Sequence, residues 1–275
     1  MERRNIIWLA SYPKSGNTWF RSFLSALFNE KEFDINDLSE GKIFSRRDTI
    51  DEVLDLDSTL LTEQELKPLQ SKVYQYLSNQ SDKNLFYKIH DAFVLDQNKK
   101  AVVPEGNTKC AIYFVRNPLD VVISFANHNS ETIDTTIEHL ANYQFSLGNE
   151  QGKQVKQPLL TWSEHFLSWT QTPNFPVYVL KYEDMLASTF AVFKNILEKL
   201  DLKYSDEEIQ KAIEATSFEK LSKQESEKGF KEKNPSSPKF FNTGKSGTWK
   251  EKLTEAQINR IITDHGVVMK SLRYI

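Results

Sequence analysis

Only one of the 275 residues is a cysteine, Cys110. One thiol forms no intrachain disulfide and builds no cysteine-rich metal site. Cys110 opens an apolar run, where a thiol packs as a small, inert hydrophobe. Long apolar runs are also missing. No stretch approaches the roughly 18 apolar residues of a membrane span. The first residues, Met1-Glu2-Arg3-Arg4, carry charge but lack the apolar region and cleavage site of a signal peptide. Cytoplasmic residence is therefore the expectation. An excess of one charge is missing too. Lys and Arg number 35 against 38 Asp and Glu, a net charge of −3. Such a chain has no global field to draw it to nucleic acid or an acidic membrane, so any anion site must be local. The five histidines form no metal-ligand cluster.

What is present suits one large domain over residues 1–275, at 39% hydrophobic and 27% charged. Strands are expected at Asn5–Ser11, Leu85–Ile89, Cys110–Val115 and Val177–Lys181. Their near-continuous apolar character fits strands buried on both faces. Helical patterns alternate with them at Thr18–Phe28, Glu63–Leu77, Leu119–Asn127, Leu159–Thr170, Ala187–Leu200, Asp206–Ala215 and Glu255–Lys270. The fold class is α/β: a single domain with a central, mainly parallel sheet flanked by helices. Two polar stretches, Gln144–Gln157 and Ser222–Gly247, read as irregular, and Pro235 and Pro238 block helix in the second.

The segment Tyr12-Pro13-Lys14-Ser15-Gly16-Asn17-Thr18-Trp19 joins a strand to a helix start. A helix N-terminus offers unpaired N–H groups and a positive dipole end. Lys14 adds a full charge, and Ser15, Asn17 and Thr18 add short donors. The loop suits a phosphate, but it is not the common nucleoside-triphosphate loop, because Lys14 precedes the only glycine. A second anion site is expected where the strand Cys110–Val115 ends in Arg116-Asn117-Pro118. Pro118 starts a helix, and Arg116 offers a planar fork of donors at the strand's carboxyl end, which suits a phosphate and, taken alone, equally suits a surface carboxylate.

Together these segments resemble the sulfotransferases that use 3′-phosphoadenosine-5′-phosphosulfate (PAPS). The first loop is similar to that family's YPKSGTTW loop and departs only at Asn17. Arg116 to Ser124 is similar to its 3′-phosphate site. Tyr182-Glu183-Asp184-Met185, Thr216-Ser217-Phe218 and Gly244-Lys245-Ser246-Gly247-Thr248-Trp249-Lys250 follow in family order. The resemblance implies a P-loop-like architecture, PAPS as donor, adenosine 3′,5′-bisphosphate (PAP) as product, and no metal. It assigns Lys14, Ser15, Gly16, Asn17 and Thr18 to the 5′-phosphosulfate, and Trp19, Tyr182, Thr216 and Phe218 to the adenine. Arg116 and Ser124 take the 3′-phosphate. Where the family often has Arg-Lys-Gly, this chain has Asn242-Thr243-Gly244, donors without charge. Lys239 or Lys245 is then the source of charge. The dimer motif of the animal cytosolic enzymes is not apparent, and the oligomeric state is left open.

Sulfuryl transfer needs a base for the acceptor hydroxyl, and an imidazole titrates in the right range. Lys88-Ile89-His90 is similar to the family's K-x-H segment, in which the histidine is the base and the lysine a second cation at the sulfuryl group. Lys14 suits the leaving oxygen, with Ser124 restraining it until acceptor binds. His128 is the rival base, while His139, His165 and His265 sit in helical patterns. The acceptor is expected to be a small hydroxylated compound, with an apolar cavity suggested by Phe93, Phe125, Phe166 and Trp169. Two other readings compete. A P-loop kinase or nucleoside triphosphatase would need ATP, Mg²⁺ and a strand-end carboxylate, for which Glu183-Asp184 is the nearest offer. A non-catalytic nucleotide-binding protein would use the same fold without transfer.

Overall fold

The computed structural model describes residues 3–29, 31–96, 98–148 and 152–275. Met1 and Glu2 of the charged start lie outside them. The fold is α/β and built on a five-stranded sheet. By packing, the chain separates into two compact units.

The first unit holds the chain up to Tyr12, Gly41–Tyr113 and Asn142–Val179. Its strands are β1 (Ile6–Ser11), β2 (Lys42–Ile43), β3 (Leu85–Ile89), β4 (Thr108–Val115), β5 (Ser146–Leu147), β6 (Gln157–Pro158) and β7 (Val177–Lys181); the last residues of β4 and β7 continue into the second unit. The large sheet has the order β2-β3-β1-β4-β7. β1 and β3 run parallel, with Ile6 opposite Leu85 and Ala10 opposite Ile89, and β2 pairs parallel to β3. Ile6 to Ala10 are wholly buried, which is why β1 reads as a continuous apolar run. Trp8 meets Phe44 edge-on at 5.1 Å and donates its indole N–H to Thr108 at 2.9 Å. The helix Glu63–Asn79 starts on a capping box, with Thr62 and Glu65 satisfying each other's backbone N–H.

Gln144–Gln157 is not wholly irregular. β5 and β6 make an antiparallel ribbon there, and residues 149–151 lie outside the described residues. Two-residue strands are too short to show a period in the sequence. Phe93, expected in an apolar cavity, packs edge-on against Trp169 and Phe175.

The second unit holds Pro13–Glu40, Phe114–Ala141 and the chain from Leu180 onward. Its helices include Asn17–Phe28, Pro118–Asn129, Ile133–Ala141, Asp206–Ala215, Phe218–Lys228 and Glu255–Ser271. Phe20 packs on Phe114 at 5.3 Å and on Phe193 at 5.1 Å, and Phe23 meets Phe193 at 4.5 Å. The expected helix Ala187–Leu200 is Thr189–Lys199, and Ser188, with φ −147° and ψ 51°, divides it from a short preceding helix, Tyr182–Ala187. The stretch read as irregular from Ser222 is helical as far as Lys228. Ser217 caps this helix, and Leu221 is its one buried apolar side chain, too sparse a signal for periodicity to register. Among the described residues, no helix is long and apolar enough to cross a membrane.

Candidate functional site

β1 delivers the chain to a strained loop in the second unit. Lys14 has φ 67° and Gly16 φ 104°, both left-handed. Successive turns of this kind aim backbone N–H groups into one concavity, an anion nest. Gly16 is the N-cap of Asn17–Phe28 and brings no capping side chain, and a helix N-terminus is a natural seat for an anion. A side chain at residue 16 would also collide with Tyr182, because a Cβ would lie 2.8 Å from its ring. The Ser15 hydroxyl is buried and has no hydrogen-bond partner. A buried orphan donor beside a helix N-terminus fits an incoming anion.

β4 delivers Arg116 to the same unit. Asn117 caps the following helix by accepting from the N–H of Leu119 at 3.0 Å, with Pro118 in its first turn. Arg116 is 7% exposed. It donates to the carbonyls of Lys14 at 3.2 Å and Lys245 at 3.0 Å, and lies 4.4 Å from the centre of the Tyr182 ring. Its Nε–H is buried and unpartnered. One arginine thus joins the Lys14 loop to the Gly244–Lys250 segment and still has a donor left.

The expected adenine residues also come together. Trp19 donates its indole N–H to the Thr216 carbonyl at 3.1 Å, and its ring meets that of Tyr182 edge-on at 6.2 Å. Phe218 lies against Gly244, whose φ is 60°; a Cβ there would be 2.3 Å from the phenyl ring. Asn242 is exposed, while Thr243 and Ser124 are half-buried. The Lys14 ammonium rests 3.8 Å from the centre of the Phe240 ring, and that ring also meets His128. The left-handed turns, the orphan Ser15 hydroxyl and Arg116 Nε, and the Phe218 cradle together fit a nucleotide with two separate anionic groups.

Three carboxylates that the sequence reading left without a role in the site hold it in place. Asp120 accepts from the Gly247 N–H at 2.7 Å, the Thr248 hydroxyl at 3.0 Å and the Trp249 N–H at 3.2 Å. Glu225 accepts from the N–H groups of Phe240 at 2.6 Å and Phe241 at 2.9 Å. Glu232 forms a bidentate pair with buried Arg21, both bonds 2.9 Å. Their signal was hidden because each carboxylate acts on backbone N–H groups or a buried guanidinium more than 10 residues away.

His90 and Lys88 belong to the first unit. Lys88 pairs within the sheet opposite Leu9 and is half-buried. His90 follows β3, and its Nδ1 lies 2.8 Å from the Ser11 carbonyl and 3.2 Å from the Ser11 hydroxyl. A carbonyl only accepts, so Nδ1 carries the proton and the lone pair of the neutral ring is on Nε2. The His90 carbonyl accepts from His165 Nε2 at 2.9 Å, and His165 Nδ1 takes the Tyr113 hydroxyl at 2.7 Å. Burial pushes His165 down to about 4, so the ring is neutral. Among the described residues, no group of three His, Cys, Asp or Glu side chains is arranged to hold a metal ion.

Comparisons with known proteins give the family and the fold. Residues 4–271 match the model of the sulfotransferase domain. The flavonol 3-sulfotransferase of Flaveria bidentis is 26% identical over 274 residues, covering 94% of this chain and 79% of that one. Sulfotransferase 1E1 of Bos taurus is 26% identical over 253 residues, covering 90% and 78%. In fold, retinol dehydratase solved with retinol and PAP superposes with a TM-score of 0.64 at 20% identity, covering 98% of this chain and 82% of that one. Mouse sulfotransferase SULT7A1 with PAP gives 0.60 at 19% identity, covering 96% and 85%. The chain belongs to the sulfotransferase domain family, whose chemistry is sulfuryl transfer.

Proposed function

We propose that residues 1–275 form one PAPS-dependent sulfotransferase domain acting on a hydroxyl of a small acceptor, and that it works in the cytoplasm, as relatives named cytosolic sulfotransferases suggest. The observation that carries this reading is Arg116, bonded to the carbonyls of Lys14 and Lys245 beneath the Tyr182 ring, with one donor unused. PAPS, when bound, supplies the activated sulfuryl group and leaves as PAP. Lys14, Ser15, Gly16, Asn17 and Thr18 hold its 5′ end. Arg116 and Ser124 hold the 3′-phosphate. Trp19, Tyr182, Thr216 and Phe218 border the base, and Asn242, Thr243 and Gly244 offer donors at the 3′-phosphate. Lys245, whose own carbonyl touches Arg116, stands in for the missing basic pair.

His90 takes the acceptor hydroxyl proton on Nε2, and the Ser11 carbonyl keeps the ring in the tautomer that leaves that nitrogen basic. Lys88 and Lys14 offset the negative charge of the transferring group and the leaving oxygen. Ser124 restrains Lys14 until acceptor arrives. The kinase reading draws no support from Glu183, whose carboxylate accepts from the Asn117 N–H and the Tyr274 hydroxyl, each at 3.0 Å. The test pairs calorimetry with a transfer assay using PAPS and a panel of phenols, alcohols and amines. Replacing His90 with Ala should lower transfer at least 100-fold and leave PAP affinity within twofold. Full activity in that variant, or tighter binding of Mg–ATP than of PAPS by the wild type, overturns the reading.

A further inference from the structure

A second set of buried polar atoms lies in the first unit, at the carboxyl ends of the neighbouring parallel strands β2 and β3. Open α/β sheets bind ligands at such edges. Glu63, Lys67 and Gln70 are spaced i, i+4, i+7 and share one face of the helix Glu63–Asn79. Ser45 follows β2 by two residues, and Asp91 follows His90. The Ser45 hydroxyl, Glu63 Oε2, Lys67 Nζ, Gln70 Oε1 and Asp91 Oδ2 are all buried without a hydrogen-bond partner. Ser45 and Gln70 are 1% exposed and Asp91 4%. Five such orphans gathered on adjoining segments call for an explanation, because buried polar groups are normally paired with protein, water or ligand.

The atoms are held, not loose. Phe44, the residue before Ser45, accepts from Gln70 Nε2 at 3.2 Å and from the Tyr74 hydroxyl at 2.6 Å. The Asp91 carbonyl accepts from the Trp169 indole at 2.9 Å, and the next N–H, of Ala92, donates to the Pro158 carbonyl at 2.8 Å. Asp91 lies within electrostatic reach of both Lys67 and Glu63, and burial outweighs Lys67 to push its carboxyl up to about 7. The Glu63 side chain is 41% exposed, which gives the cluster an edge on solvent.

The signs of the charges select the ligand. Lys67 and Arg47, which is 3.9 Å from Glu63, oppose a cation. Asp91 and Glu63 oppose an anion. A hydroxyl group both donates and accepts, so neighbouring hydroxyls can take the Lys67 donors and the Asp91, Gln70 and Glu63 acceptors at once. We propose that this cluster is a subsite for a neutral polyol, a carbohydrate or its glycoside, and that it sets the acceptor class of the enzyme. The assignment rests on the sulfotransferase reading above and narrows the acceptor from any small hydroxylated compound to a polyhydroxylated one.

The test uses the full chain with PAP, methyl glycosides and myo-inositol as polyol probes, and 4-nitrophenol as the apolar probe. Saturation-transfer NMR reads binding, and the PAPS assay reads transfer. Wild type should bind and sulfate at least one polyol. Lys67→Met and Ser45→Ala should each raise the polyol KM at least tenfold relative to 4-nitrophenol while leaving PAP affinity unchanged, and circular dichroism checks their folding. Polyols that neither bind nor react while phenols are sulfated would overturn the subsite, leaving buried water as the partner of these atoms. An unchanged polyol KM in both variants would overturn it too. Polyol binding lost in Lys67→Met, with no acceptor sulfated by wild type, would support the subsite and overturn the transferase reading instead.

Discussion

His165 has to enter the folded protein uncharged. Its ring is enclosed, donates to the His90 carbonyl and accepts from Tyr113. The folded pKa, about 4, lies below the ordinary value of 6.5. Between these values the unfolded chain binds a proton that the folded chain does not. Stability from this residue is therefore full above pH 6.5 and falls as pH drops toward 4, by at most about 3 kcal/mol. His265 behaves in the same direction, while Asp91, with its raised pKa, acts against both. Urea unfolding at pH 7 and pH 5 should show a smaller difference for His165→Gln than for wild type, whatever the offset at neutral pH. At Gly244, alanine meets both a left-handed backbone and the Phe218 ring. Gly244→Ala should weaken PAP binding about tenfold or more and lower Tm by several degrees, read by calorimetry and a thermal melt.

At the level of elements, the helix Pro118–Asn129 does two jobs. Its N-cap end presents Arg116, and Asp120 one turn on grips Gly247 to Trp249. Removing one partner leaves three donors unanswered at the segment that meets Arg116. Asp120→Ala should therefore weaken PAP binding by about ten- to a hundredfold while the far-ultraviolet spectrum stays native. The elements legible in the sequence were those with a strong period or a strong cap: β1, β3, β7 and the helix Asp206–Ala215 agree with expectation to within a residue. Missed elements had little to announce them. β2 is two residues long, and Ile133–Ala141 buries few side chains. The proposed anion loop and Arg116 stand out in the sequence because their motifs are local. The buried polar atoms of Glu63, Lys67 and Gln70 do not, because charged residues on a helix normally read as solvated.

Across the whole molecule, charge is nearly balanced, yet the proposed nucleotide-binding set concentrates Lys14, Arg116 and Lys245 in one unit. Attraction of a bis-anion to such a patch is screened by salt. PAP affinity should fall as NaCl rises from 50 to 500 mM, by roughly tenfold, and Lys245→Ala should flatten that dependence. Cys110 offers a different kind of measurement. It is 3% exposed, and burial raises its thiol to about 11. A thiol held protonated and enclosed does not attack disulfide reagents. Because it is the only sulfhydryl in the chain, its labelling clock counts openings of β4 and nothing else. The protein thus carries a native stopwatch for its own breathing, readable by mass spectrometry without introducing a probe, and ligands that slow that clock are ligands that bind.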